Sequence, residues 1–264
     1  MLKRILSLFT KKNDKKEKWD FSNGETINGD PVPNGFGLKD YETDKKKMDI
    51  TPFIKDIEEM LNVKCPCIQS VACLYESYCP EYGQIMVQAQ VEFHRDEIPE
   101  DAAYKAAYYM DDKDIILIAR KYADPDFDTG EMHYKNLTSA EHLFHIAHEL
   151  RHVWQKKYAA DIYYKTNAIN MECINDVSEI DADAFAFSYV FSDRTPFTYE
   201  DIPTISEEIV LQATADNGKR WKRTEELIKE FDFNSNAKLE DLKSHIDTDK
   251  INFLVGMMKI NRMI

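Results

Sequence analysis

The sequence predicts an α+β fold: a small N-terminal β-sheet mixed with helices, followed by a mostly helical C-terminal part. Three observations predict it. Ile85, Val87, Ala89, Val91 and Phe93 alternate along Gln84 to His94, the period of a half-buried strand. Ile115-Ile116-Leu117-Ile118 is a short apolar run between Asp114 and Ala119, as a buried strand requires. Beyond Thr138 the apolar residues recur only at helical spacing.

The elements follow in chain order. Residues 1–48 form a basic and polar arm. Lys3, Arg4, Lys11, Lys12, Lys15, Lys16 and Lys18 crowd its start, and Asn, Gly, Asp and Pro dominate from Ser22 to Asn34. That composition favours loops over packed structure. Leu2, Ile5, Leu6 and Phe9 fall on one helical face, so residues 1–10 offer a membrane-surface or partner-docking helix. The plainer reading of the same residues is a helix that packs on its own domain or frays. Residues 49–264 read as one globular domain. Ile54, Ile57 and Leu61 keep helical spacing, the strand over Gln84–His94 follows, and Pro99 to Met110, rich in Ala and Tyr, reads as a helix. After the Asp114–Ala119 strand, Thr138 with Glu141 three residues on is a capping box. It opens a helix to about Lys157. A second long helix covers Asn170 to Phe191, and further helices cover Ser206–Phe231, Lys238–His245 and Ile251–Met263.

Bulk properties narrow the function. The 264 residues carry a net charge of −14, and an acidic body repels phosphate backbones, which argues against nucleic acid as a partner. Hydrophobic residues make up 43%, enough for a real core, yet no apolar run reaches membrane-spanning length. Met1 to Thr10 has too short an apolar stretch for a secretory signal and no small-residue cleavage site, so the expected location is cytoplasmic. Cys65, Cys67, Cys73, Cys79 and Cys173 are odd in number and match no zinc-ribbon spacing, so they read as free thiols.

The chemistry concentrates in His148-Glu149-Leu150-Arg151-His152. Two histidines four apart on a helix project from one face and can share a metal ion. Glu149 then lies beside the metal, where a carboxylate can take a proton from an activated water. A catalytic zinc needs a third protein ligand and an open position. Glu179, with Asp183 one turn on, is the candidate third ligand; Glu172, Asp176 and Asp181 are its rivals. Asp183 is the candidate to accept a hydrogen bond from a ligand histidine, with His148 favoured as its partner. His142 and His145 read as exposed and receive no role.

These residues carry a resemblance. His148-Glu149-x-x-His152, 26 residues, then Glu179-x-x-Ala182-Asp183-x-Phe185-Ala186 resembles the gluzincin metallopeptidases, and among them the ImmA/IrrE-type bacterial and phage peptidases. It covers about 45 residues, Phe144 to Tyr189, and one position departs: Arg151 stands where the family often has Gly. The resemblance implies a zincin-like fold and a zinc-dependent peptidase acting on a protein or peptide. It implies Zn2+ held by His148, His152 and Glu179, and a metal-activated water with Glu149 as general base. His133, Tyr134, Tyr163, Tyr164 and His245 are the candidate oxyanion donors. A substrate would lie along the edge of the Asp114–Ala119 strand by main-chain hydrogen bonds. The alternative from another class is a catalytically inactive, metal-stabilised module that binds a protein.

Overall fold

The computed structural model describes residues 48–79, 84–90, 98–99, 102–125, 132–164 and 176–260. The expected arm, apart from Met48, lies outside them, as do Cys173, the end of the strand expected over Gln84–His94 and the start of the helix expected at Asn170.

The described chain mixes helices and strands as expected. Helix α1 (Thr51–Leu61) leads into β1 (Cys67–Val71), β2 (Cys73–Cys79) and β3 (Gln84–Gln90). Then come β4 (Ala103–Lys105), β5 (Ala107–Met110), β6 (Ile115–Ala119) and a ribbon of β7 (Lys121–Pro125) with β8 (Met132–Asn136). The remainder is helical: α2 (Ser139–Tyr158), α3 (Ala160–Tyr163), α4 (Val177–Val190), a 3-10 turn (Tyr199–Asp201), α5 (Pro203–Ala215), α6 (Lys219–Glu230), α7 (Asn236–His245) and α8 (Thr248–Ile260).

Two three-stranded sheets form, in the orders β1-β6-β5 and β3-β2-β4. β6 runs parallel to β1 and antiparallel to β5, so it is paired on both sides. Its unbroken apolar run has a physical cause, because both faces are covered. Ile116 and Ile118 face the main helical core, while Ile115 and Leu117 pack with Val71 of β1 and with Leu74 of the second sheet. This corrects one expectation. Among the described residues the edge strands of this sheet are β1 and β5, and the Asp114–Ala119 strand lies between them.

β5 also corrects a second one. Pro99–Met110 reads as a helix because alanines at 102, 103, 106 and 107 raise helix propensity. In the structure Ala103–Lys105 and Ala107–Met110 are strands, parting at Ala106 to join different sheets. Sheet pairing decides the outcome: Tyr109 lies opposite Ile116, and burial alternates along Ala107, Tyr108 and Tyr109. A third correction concerns Ser206–Phe231, which divides into α5 and α6. Asn217 and Gly218 take left-handed backbone angles (φ 58° and 82°) between them, and Gly218 N–H donates back to Ala213 O.

The capping box at α2 forms as expected. Glu141 N–H donates to Thr138 Oγ1 at 3.1 Å, and Thr138 N–H to Glu141 Oε2 at 2.7 Å. The helix crosses the centre of the protein, so its buried positions exceed one stripe. It packs against α4, whose Phe185, Phe187 and Tyr189 are fully buried. His142, expected at the surface, is fully buried here, with Nδ1–H donating to Thr138 O at 2.9 Å. No helix among the described residues is long and apolar enough to cross a membrane.

His142 makes stability depend on pH. Burial pushes its pKa down to about 4, and the carbonyl oxygens of Thr138 and Ala119 offset only part of that. The folded protein therefore keeps this ring neutral, while an unfolded chain protonates it below about pH 6.5. The contribution is full above that value and is lost as pH falls towards 4. Between pH 7.5 and 5.0 wild type should lose about 2 kcal/mol that His142→Gln does not lose. Urea unfolding of both at the two pH values measures it; equal losses would mean that His142 titrates normally in the fold.

Candidate metal centre

Helix α2 presents His148 and His152 one turn apart, and α4 brings Glu179 against them. The ligand atoms of these three residues lie within 4.8 Å of one another, and among the described residues this is the group of three or more that could hold a metal ion. His148 Nε2 is 3.0 Å from His152 Nε2 and 3.3 Å from Glu179 Oε2, and His152 Nε2 is 3.4 Å from Glu179 Oε1. A tetrahedral zinc with bonds of about 2.0–2.1 Å holds its ligands about 3.3 Å apart. The three spacings fit that figure.

The other ring nitrogens decide the tautomers. His148 Nδ1 is 2.8 Å from Asp183 Oδ1, the pair favoured from the sequence. A carboxylate only accepts, so Nδ1 carries the hydrogen. His152 Nδ1 is 2.8 Å from Gln155 Oε1. The Gln155 amide cannot be turned round, because its Nε2 donates to Ser178 O (3.0 Å) and Asp181 Oδ2 (2.9 Å). Both Nε2 atoms therefore aim lone pairs at each other and at a carboxylate. Such an arrangement calls for a proton or a cation at its centre. The charges respond accordingly. Burial would lower the His148 pKa, but Asp183 and Glu179 outweigh it and hold it well above its usual value. Burial would raise the Glu179 carboxyl, but His152 and His148 hold it well below the usual carboxylate range.

Each imidazole is backed by a buried chain of polar groups. Behind His148, Asp183 Oδ2 accepts from Arg220 Nε at 2.9 Å, and Arg220 Nη1 donates to Asp216 Oδ2 at 2.8 Å. Behind His152 and Gln155 stands Asp181, which accepts from Arg151 Nε at 2.7 Å and Arg223 Nε at 2.8 Å. Arg151, the departure from the resembled motif, is wholly buried, with its guanidinium 3.8 Å from the centre of the Trp154 ring. Of the rival ligands, Asp176 caps α4, accepting from Ser178 N–H at 2.8 Å, and Asp181 is spent on the arginines. Glu172 lies outside the described residues.

Glu149 lies beside this cluster. Its Oε2 accepts from Tyr109 N–H of β5 at 2.8 Å, which fixes the carboxylate against the sheet edge. A cleft of about 460 Å³ opens in front, lined by β5, His145, His148, Glu149, His152 and Tyr163, with α5 as the facing wall. His145, expected to be exposed, is half-buried on the α2 side of this cleft with its ring edge-on to Phe144. Burial, then proximity to His148 and His142, lowers its pKa to about 3, so it is neutral. Of the candidate oxyanion donors, Tyr163 lines the cleft, its ring centre 6.2 Å from that of His152. His245 stacks on Tyr199 and Tyr164 is exposed, neither of them lining the cleft, and the side chains of His133 and Tyr134 lie outside the described set.

Gln155, Arg220 with Asp216, and the pairing of Arg151 with Asp181 were not singled out from the sequence. Gln155 left one usable sign, a polar residue three after His152 on the same face. Arg220, 37 residues beyond Asp183, left none. The chain matches no protein-family model, no curated protein and no solved structure.

Proposed function

We propose that this protein is a zinc-dependent hydrolase, a peptidase of zincin-like architecture, in which His148, His152 and Glu179 hold the metal. The observation that carries the reading is the pair of Nε2 lone pairs 3.0 Å apart, facing Glu179, with both Nδ1–H groups committed elsewhere. Two imidazoles and one carboxylate are also the donor set of a catalytic rather than a structural zinc, since they leave a position open. When bound, zinc supplies a Lewis acid that polarises a carbonyl and brings the pKa of water towards about 7.

The residues divide the remaining work. Glu149, anchored through Oε2 by Tyr109 N–H, keeps Oε1 for the proton of the attacking water and passes that proton to the leaving amine. Asp183 and Gln155 hold the two imidazoles in one tautomer and one ring angle. Tyr163 is the hydroxyl best situated to donate to the oxyanion. The open edge of β5 lies along the cleft, where an extended peptide can add as a strand. The resemblance of the His148–His152 and Glu179–Ala186 segments to the ImmA/IrrE-type peptidases points the same way. Glu149 speaks against the inactive binding module, because a structural site has no use for a general base beside its ligands.

Metal content tests the reading. Elemental analysis of wild type should give about one zinc per chain, and Glu179→Ala should lose most of it. Wild-type protein without zinc, even after zinc is supplied and the excess removed, would sink the assignment.

A further inference from the structure

Resting on that reading, we propose that the cleft selects a basic side chain, lysine or arginine, through a subsite formed on α5 by Glu208 and Gln212, with His145 lining the same cleft. The helix turns Thr204, Ile205, Glu208, Ile209 and Gln212 into the cleft, spaced so that they form one face. Among the described residues, six carboxylates line the cleft against a single lysine. Five of them already have a task. Glu76 pairs with Lys105 at 3.2 Å, Glu149 takes Tyr109 N–H, and Asp176 caps α4. Glu179 faces the two histidines, and Asp183 bridges His148 and Arg220. Glu208 is the exception, since its hydrogen-bond partner is the neutral amide of Gln212, Nε2 to Oε1 at 3.1 Å.

That bond has a consequence. A carboxylate only accepts, so Gln212 must turn its amide N–H towards Glu208 and its carbonyl away. Gln212 Oε1 is left as a buried acceptor without a hydrogen-bond partner among the described residues. His145, neutral and with no hydrogen bond among the described residues, adds a ring that a cation does not repel. A carboxylate, a spare carbonyl and a neutral imidazole together offer acceptors, and the cation that acts on Glu208, Arg220, is already paired with Asp183 and Asp216. A guanidinium or ammonium supplies donors and charge to match. The Glu208 side chain is exposed on the cleft wall, where an incoming cation can reach it. An acidic side chain of the substrate would meet the reverse.

The test uses N-acetyl amino-acid hydroxamates, whose hydroxamate binds the metal whatever the side chain. Calorimetry with the zinc-loaded full chain compares the arginine, norleucine and glutamate forms. Arginine should bind at least about tenfold tighter than norleucine, with glutamate weakest. Glu208→Gln should cut the arginine preference to about threefold or less, and Glu208→Lys should turn it towards glutamate. Equal binding of arginine and norleucine to wild type would overturn the subsite while leaving the metal centre standing. An unchanged preference in both variants would overturn the role of Glu208. Binding of none of the three would remove the metal centre and the subsite with it.

Discussion

Glu149→Gln is expected to retain zinc and to lose about 10²–10⁴-fold in peptide hydrolysis. The substitution keeps the volume of the side chain, and the amide oxygen can still accept from Tyr109 N–H, which Glu149 Oε2 accepts at 2.8 Å. What disappears is the second oxygen as a proton acceptor. None of the proposed ligand atoms is removed, because the group that could hold a metal is His148, His152 and Glu179. The assay compares wild type and variant on a random peptide mixture, with cleavage followed by mass spectrometry and metal followed by elemental analysis. Zinc retained with activity lost assigns the general base. Full activity in the variant would remove Glu149 from that role, and loss of zinc would mean that Glu149 supports the site rather than the reaction.

Arg151→Met should destabilise the protein by about 3 kcal/mol, because it strips a partner from a buried carboxylate. Arg151 is wholly buried and Asp181 nearly so. Their two bonds, 2.7 Å from Nε and 3.2 Å from Nη2, form a fork that methionine cannot replace. Arg223 and Gln155 still reach Asp181, which keeps the loss from being larger. In a chain of this size, the expected fall in Tm is about 6–12 °C. Arg151→Met combined with Asp181→Leu should recover a large part of it, since no charge is then left unpaired. Thermal unfolding of the two single variants and the double variant measures the coupling. Additive losses would mean that the pair does not act as a unit. The double variant should also bind zinc more weakly, because Gln155 loses the Asp181 acceptor that orients its amide behind His152.

The sequence carried the local part of this account. The spacing of His148, Glu149 and His152 is itself a statement of geometry once the segment is helical, and the Thr138–Glu141 box marks where that helix starts. Asp183, one turn after Glu179, follows by the same rule. Ile115–Ile118 was legible as a strand because burial on both faces leaves an unbroken apolar run. Where local and non-local preferences disagreed, the sequence misled. The alanines around Tyr104–Tyr109 favour a helix, but pairing of Ala103–Lys105 with β2 and of Ala107–Met110 with Ile115–Ile118 makes them strands. The break at Asp216-Asn217-Gly218 was readable as a helix stop, and the run of helical residues on either side hid it.

By itself, then, the sequence determined the helix, the pair of candidate ligand histidines and the candidate base, all of which depend on neighbours within a few residues. Only the tertiary structure decided which strand edge faces the cleft, that Asp183 meets His148, that Gln155 meets His152, and that Arg151 and Arg220 stand behind them. Those pairings join residues up to 37 positions apart through side chains whose partners have no fixed offset. Their cause is burial: once α2 and α4 exclude water, each polar group must find a partner in whatever segment packs against it, and packing is a property of the whole chain.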